Sequence, residues 1–170
     1  MNTIIDENAQ FTQAMNFFGD KAYDRSIDLL TELIEHNADH RLARMARGSA
    51  YLKMDETQKA IADFDHVIEM DPSDARALHL RGLSREKRGD DAGALADINR
   101  AIALNPDYGA AYYSRSNLHA KLGNEDRATD DIRTVTALTQ INAAGFANEN
   151  NVWQTGQMRV ESAMETELNR

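Results

Sequence analysis

The sequence contains no cysteine. This absence excludes disulfide bonds, thiol catalysis and lipid attachment through cysteine, and it fits a reducing compartment. Long apolar runs are missing too, because no segment approaches the roughly 18 uninterrupted apolar residues of a membrane span. Residues 1–10 contain Asp6 and Glu7 and lack the basic start and apolar stretch of a secretory signal. We therefore expect a cytoplasmic protein with no membrane partner.

Basic residues are outnumbered, with 19 Lys and Arg against 28 Asp and Glu and a net charge of −9. This balance argues against general binding to a nucleic acid backbone, which requires a basic excess. The chain has 170 residues, of which 42% are hydrophobic, and this is enough for one domain with a core. We expect no nucleic acid partner.

Motifs for catalysis and metal binding are also missing. The sequence has no Gly-rich phosphate loop, no G-x-S-x-G elbow and no H-E-x-x-H pair. His36 and His40 lie four residues apart, which invites a metal site, but a position at a helix end favours an interaction with the helix dipole. The sequence therefore supports no enzyme activity and predicts no catalytic residue, no cofactor and no metal.

Proline occurs only twice, at Pro72 and Pro106, 34 residues apart. A fixed period between about 20 and 50 residues is typical of stacked repeats. When the chain is written in rows of 34, four rows align without an insertion. One column holds only small residues, as two helices in close contact require, namely Ala14, Gly48, Gly82 and Ser116. Another column is large and apolar, namely Leu30, Phe64, Ile98 and Ile132.

Turns and helices follow the same period. Gly89 and Gly123 share a column with Asp55, and this column marks a turn between two segments. In the second segment, apolar and small residues recur at helical spacing, as in Ala60, Ile61, Phe64, Val67 and Ile68. Each row therefore predicts two helices, a short turn between them and a breaker after them. One such pair cannot bury its apolar face alone, so neighbouring pairs must stack.

These rows resemble the tetratricopeptide repeat, whose 34-residue pattern the third row carries as Leu78, Gly82, Ala94, Ile98 and Pro106. The resemblance covers residues 7–142. It implies an all-α fold, a right-handed helical-hairpin solenoid (an alpha-alpha superhelix) of four 34-residue repeats plus a C-terminal capping helix. After an extension of residues 1–6, the predicted repeats are residues 7–40, 41–74, 75–108 and 109–142. Ala38 and Gln140 replace proline at the outer boundaries, and His119 replaces an aromatic residue, where we expect a structural histidine.

Two charged columns run through the rows. Arg47, Arg81 and Arg115 stand in the first helices, and Asp63, Asp97 and Asp131 follow 16 residues later in the second helices. One interpretation is a structural ladder in which each arginine reaches an aspartate of its own or an adjacent repeat. The other is an anion-binding row. The shared period favours the ladder.

The family resemblance implies that the first helices line a concave groove. The residues predicted for this groove are Phe11, Met15, Leu42, Met45, Ser49, Leu52, Arg76, His79, Leu83, Tyr113 and Asn117. Exposed Phe, Met and Leu side chains at this density indicate a binding site for a peptide or an amphipathic helix. Packing against the next repeat, or cover by the chain's own tail, is the alternative. A column of Lys53, Lys87 and Lys121 could steer an acidic partner to one rim.

The tail, residues 143–170, departs from the repeats. Phe146 and Trp153 continue the frame of a fifth first helix, which favours a cap. After Gly156 the segment is amphipathic and acidic, and it could instead dock in its own groove, in the groove of a second copy or on a partner. The preferred function is a non-catalytic module for protein–protein interaction. The alternatives are a small chaperone for an exported or aggregation-prone client and a self-assembling scaffold, a homo-oligomer through residues 143–170.

Overall fold

The computed structural model describes residues 6–141, which are helical throughout apart from short turns and contain no strand. The helices are α1 (Glu7–Gly19), α2 (Tyr23–His36), α3 (Arg41–Lys53), α4 (Thr57–Met70), α5 (Ala75–Lys87), α6 (Asp91–Leu104) and α7 (Gly109–Lys121). Residues 125–141 form an eighth helix, α8, at the end of the described range. The predicted cap and tail, residues 143–170, lie outside the described residues.

The helices form four hairpins that stack in chain order. Within the first three hairpins, α1 packs on α2, α3 on α4 and α5 on α6, and each second helix then packs on the first helix of the next hairpin. The first helices α1, α3, α5 and α7 also contact one another in sequence, so they lie side by side along one face. The predicted all-α, helical-hairpin solenoid is confirmed.

The turn inside each hairpin uses one left-handed residue. These residues are Lys21, Asp55, Gly89 and Gly123, with φ angles of 60°, 64°, 85° and 76°. They stand in one column at the repeat period, and the sequence pattern of Asp55, Gly89 and Gly123 already indicated this turn. Lys21 completes the column although a side chain disfavours the left-handed region.

The boundaries between hairpins share an extended residue. Asp71 and Asn105 precede the two prolines with φ angles of −139° and −136°, as a residue before proline requires. Asn37 adopts the same conformation, with φ −136°, although no proline follows it. The equivalent of these three residues in the fourth hairpin is Thr139, and there α8 continues as a helix through residue 141.

Close packing explains the small-residue column. A Cβ atom on Gly48 would lie 2.8 Å from the ring of Phe64, and one on Gly82 would lie 2.9 Å from Cγ1 of Ile98. Phe64 and Ile98 are fully buried and belong to one continuous core that runs from α3 to α7. The glycines therefore let each first helix approach its second helix closely.

The arginine and aspartate columns form the predicted structural ladder. Arg81 donates from Nε and Nη2 to both carboxylate oxygens of Asp97 at 2.8 and 2.6 Å, and from Nη1 to Oδ1 of Asp65 in the preceding hairpin at 2.7 Å. Arg47 pairs with Asp63 and Arg115 with Asp131 in the same two-bond geometry. Each guanidinium is thus held by protein carboxylates, so the ladder interpretation is confirmed.

Candidate partner-binding groove

A first cavity lies where α1, α3 and α5 meet on the face of the first helices. Its volume is about 130 Å³, and it is lined by Phe11, Met15, Phe18, Leu42, Met45, Ala46, Ser49 and Arg76. Met15 and Leu42 are 37% and 54% exposed. Among the other lining residues, Met45 and Ala46 are buried in the packing between helices, so the apolar groups open to solvent are mainly those of Met15 and Leu42.

A second cavity continues the first along α3, α5 and α7. Its volume is about 520 Å³, and it is lined by Ser49, Leu52, Lys53, Leu80, Leu83, Glu86, Lys87 and Lys121. Ser49 lines both cavities. Together the two cavities form one groove across the first helices, and the term groove refers to it from here on. The groove is apolar at the α1 end, and lysines line its edge toward α7.

Charged groups of the groove are partly tied to the scaffold. Lys87 Nζ lies 3.0 Å from Oδ1 of Asp55, and Lys121 Nζ lies 2.6 Å from Oδ1 of Asp91. The hydrogen bond with Asp91 raises the pKa of Lys121. Burial raises the pKa of Glu86, the one acidic residue among the side chains that line these two cavities. Of the three lysines that line the larger cavity, Lys53 is the one with no carboxylate of the described residues within ion-pair distance.

A family model described as tetratricopeptide repeat matches three overlapping stretches, residues 11–75, 45–108 and 79–137. The chain belongs to the tetratricopeptide repeat family. Proteins with these repeats are in general modules for protein–protein interaction without catalytic activity. The predicted family is confirmed.

Solved structures of similar shape include tetratricopeptide repeat proteins. A crystal structure of MamA is 19% identical and superposes with a TM-score of 0.74 over 82% of this chain and 81% of that one. MamA from Desulfovibrio magneticus RS-1 is 18% identical, with a TM-score of 0.73 over 79% and 76%. TTC0263, a thermophilic tetratricopeptide repeat protein of Thermus thermophilus, is 17% identical, with a TM-score of 0.69 over 78% and 74%. These likenesses show the fold. No curated protein matches the chain.

The structure brings most of the predicted groove residues of this tetratricopeptide repeat protein together. The two cavities include Phe11, Met15, Leu42, Met45, Ser49, Leu52, Arg76 and Leu83. Tyr113, 54% exposed, and Asn117 are open to solvent but line neither cavity. Met45 and His79 are only 8% and 5% exposed, so they belong mainly to the packing between helices and offer little surface to a partner.

His79 instead joins the third hairpin to the fourth. Its Nδ1 lies 3.0 Å from Oη of Tyr108 and its Nε2 lies 2.8 Å from Oγ of Ser114. Because Ser114 donates its hydroxyl proton to the carbonyl of Ala110, it accepts from Nε2–H, and Tyr108 donates to Nδ1. Burial lowers the pKa of His79 to about 4. The imidazole is therefore neutral at physiological pH and both of its nitrogens are bonded.

Sequence reasoning missed Leu80 as a groove residue. Leu80 lines the larger cavity but stands one position beyond the predicted stripe. Its column also contains Thr12, Ala46 and Ser114, and Ala46, which was missed as well, lines the smaller cavity. Leu80 is the only large apolar residue of these four, and this was the signal available in the sequence.

The two histidines at the first boundary stand at the ends of different helices. His36 is the last residue of α2, whereas His40 caps α3 and accepts a hydrogen bond at Nδ1 from the backbone N–H of Ala43, 3.1 Å away. Within residues 6–141, no group of three or more His, Asp or Glu side chains is placed to hold a metal ion. None of the described helices has the length and apolar character of a membrane span. His119 is buried, and burial lowers its pKa, but its Nδ1 has no hydrogen-bond partner among the described residues, so the expected satisfied structural histidine is found only in part.

Proposed function

We propose that this protein is a non-catalytic interaction module that binds a peptide or a helix of a partner protein in the groove. The main observation in support of this proposal is the run of exposed apolar side chains along the first helices, with Met15 and Leu42 at the α1 end of the groove. Exposed apolar patches of this kind mark interaction sites. Methionine adds contacts that adapt to different partners.

The two cavities suggest what the partner segment contains. The smaller cavity, between Phe11 and Leu42, has room for an apolar anchor. The larger cavity has a floor of leucines and an edge of Lys53, Lys87 and Lys121. Because complementary charge steers association and fixes register, the favoured ligand is a segment that combines apolar anchors with acidic residues.

A peptide-display selection with the full chain tests the groove. The groove variant carries Met15→Glu and Leu42→Glu, and the control carries Met70→Glu and Leu104→Glu, which are similarly exposed residues at the ends of α4 and α6. Met45 and His79 stay unchanged because a glutamate at these buried positions would disturb packing. We expect the selected peptides to bind the groove variant at least about tenfold more weakly than the unmodified chain, and the control within about twofold. Equal losses in both variants would refute groove binding.

A charge reversal tests the lysine edge separately. Lys53→Glu removes one groove charge, and no carboxylate of the described residues lies within ion-pair distance of Lys53, so the scaffold keeps its contacts. Lys21→Glu is the control on an exposed turn. Acidic peptides should lose affinity for the Lys53 variant alone, and the difference should shrink as salt is raised. If the affinity of acidic peptides were unchanged in the Lys53 variant, the proposed preference for acidic residues would be refuted, and only the apolar anchors would remain as a feature of the ligand.

A self-assembling scaffold is the second candidate, and the lysine edge favours it. Residues 157–170 of the chain are acidic and amphipathic, with Val160, Met164 and Leu168 in a helical stripe and Glu161, Glu165 and Glu167 beside it. This segment has the composition proposed for a groove ligand, so one copy could occupy the groove of the next. Light scattering of the full chain and of a chain lacking residues 157–170 separates the candidates. A full chain that stays monomeric at high concentration would eliminate self-assembly and leave the partner module.

A further inference from the structure

The larger cavity of the groove contains a carboxylate that the scaffold leaves without a bond. Glu86 of α5 lines this cavity and is partly buried. Within residues 6–141, no basic side chain lies within ion-pair distance of the Glu86 carboxylate, and no donor forms a hydrogen bond with it. A carboxylate in this position loses part of its hydration without a protein donor in compensation.

The lysines of the cavity near Glu86 bind other carboxylates. Lys87, the next residue on α5, lies 3.0 Å from Asp55, and Lys121 on α7 lies 2.6 Å from Asp91. Burial is the main cause of the raised pKa of Glu86, Lys121 opposes this shift and Asp91 adds to it. The charge of Glu86 is therefore not neutralised by the scaffold around it.

The repeat period does not explain a carboxylate at this position. The equivalent residues of the four first helices are Phe18, Leu52, Glu86 and Ala120. Leu52 lines the same cavity from α3, and Leu80 and Leu83 line it from α5. The ladder aspartates recur because each repeat makes the same contact, whereas Glu86 occurs once, in a column that is otherwise apolar.

Two opposite charges of this cavity are thus left for a partner. Lys53 on α3 has no carboxylate of the described chain within ion-pair distance, and Glu86 on α5 has no basic group. A segment that presented carboxylates alone would satisfy Lys53 but would place like charge beside Glu86, which disfavours binding. A complementary segment has an acidic and a basic side chain.

We propose that Glu86 determines the specificity of the groove by accepting hydrogen bonds from a lysine or arginine side chain of the partner segment. This inference rests on the proposed function, because it concerns the same groove. Hydrogen bonds between ionised groups are stronger than those between neutral groups, and the leucines around Glu86 strengthen such a bond by excluding water. The partner segment therefore combines apolar anchors, an acidic residue for Lys53 and a basic residue for Glu86.

Parallel peptide-display selections with the full chain and with its Glu86→Gln variant test this inference. Glutamine keeps the size of the side chain and removes its charge, and since Glu86 has no ion pair in the described chain, we expect an unchanged melting temperature. The unmodified chain should enrich a lysine or arginine at a fixed distance from the apolar anchors. Glu86→Gln should lose this enrichment and keep the anchors. Glu69→Gln, at an exposed carboxylate on α4, is the matched control and should select the same peptides as the unmodified chain.

The affinity of one selected peptide then measures the contact. Replacement of its basic residue by methionine should weaken binding to the unmodified chain by about five- to tenfold and change binding to Glu86→Gln by less than about twofold. Between pH 7 and pH 5 the unmodified chain should lose more affinity for the basic peptide than Glu86→Gln does. The reason is that protonation removes the charge of Glu86, and its raised pKa brings protonation closer to this range.

Two results would overturn this inference alone. One is a selection in which the unmodified chain enriches basic residues no more than Glu86→Gln does, and the other is an equal effect of the methionine replacement on both chains. In both cases, peptides that bind the Met15→Glu and Leu42→Glu variant more weakly would still support the groove. Peptides that bind this groove variant as tightly as the unmodified chain would overturn the proposed function and this inference together.

Discussion

The same four first helices carry two faces that follow different rules. On the packing face, three successive hairpins repeat one arginine, and each arginine makes the same two bonds to an aspartate at 2.6 to 2.9 Å. On the groove face, one column reads Met15, Ser49, Leu83 and Asn117, and no two of these residues are alike. The first face is set by the period and the second is not.

The difference follows from what each face contacts. Every packing joint meets another copy of the same hairpin, so the same side chains solve the same geometric problem each time. The groove meets a partner whose sequence has no reason to repeat every 34 residues. Function in such a fold depends on residues that the scaffold leaves free. Four predictions test whether the two faces are separate in energy as well as in pattern.

The largest effect is expected from the centre of the ladder. Asp97 is buried and accepts hydrogen bonds from both Arg81 and Arg85. Asp97→Ala leaves two guanidinium groups without this partner, and we expect a loss of about 3–5 kcal/mol in the free energy of unfolding. Urea unfolding followed by circular dichroism measures the loss. Asp65→Ala, at the more exposed partner of Arg81, should lose no more than about 1 kcal/mol.

A double-mutant cycle with Arg81→Ala completes this test. Because the two residues share a two-bond contact, the loss in the double variant should be smaller than the sum of the single losses. Additive losses would mean that the two side chains do not interact, and the ladder would then be only a recurring arrangement of charges.

The next effect is a pH dependence at the joint between the third and fourth hairpins. The pKa of His79 is lowered from 6.5 to about 4 in the folded chain. Between these two pH values the imidazole is therefore protonated in the unfolded chain and neutral in the folded chain. Stability from this group is fully present above pH 6.5 and falls as the pH drops toward 4, by up to about 3 kcal/mol. Unfolding curves between pH 7 and pH 4 should show this fall, and His79→Gln should flatten it. His66→Gln, at an exposed histidine, should leave the slope unchanged, and an equal slope in His79→Gln would contradict the assignment.

Sequence reasoning reached the packing face more fully than the groove face. The columns of Gly48 and Phe64, and of Arg81 and Asp97, were readable because each is repeated and each repeat makes the same contact. Groove residues have no such repetition. His79 was predicted to line the groove because it shares a column with Phe11, Met45 and Tyr113. In the structure its side chain is buried and forms hydrogen bonds with Tyr108 and Ser114. No periodic signal encodes those bonds, since they depend on two residues of one joint.

A smaller effect is expected in the turns inside the hairpins, where the scaffold uses different residue types at one repeat position. Lys21 adopts a left-handed φ of 60° that glycine adopts without strain, so Lys21→Gly should stabilise the protein by about 1 kcal/mol. Gly123→Ala should destabilise the protein by about 1–2 kcal/mol, because the φ of Gly123 is 76°, which a residue with a side chain adopts only with strain. A Cβ atom at this position would meet nothing within 4 Å, so the loss would come from the backbone conformation alone. Thermal unfolding of both variants gives opposite shifts. Shifts of the same sign would show that side-chain contacts, and not backbone conformation, set the turn.

The smallest effect is expected on the groove face, and it decides whether the faces are independent. Leu42 is more than half exposed, so Leu42→Ala should change the free energy of unfolding by no more than about 0.5 kcal/mol. Leu78→Ala makes the same chemical change at a fully buried residue and should lose about 2–5 kcal/mol. The measurement is the same urea titration for both. If Leu42→Ala lowered the free energy of unfolding as much as Leu78→Ala, the Leu42 side chain would be part of the scaffold. Residues at that position could then not change to suit a different partner without destabilising the fold. A small loss, together with weaker peptide binding, would show that the groove residues are free of the packing that holds the repeats together.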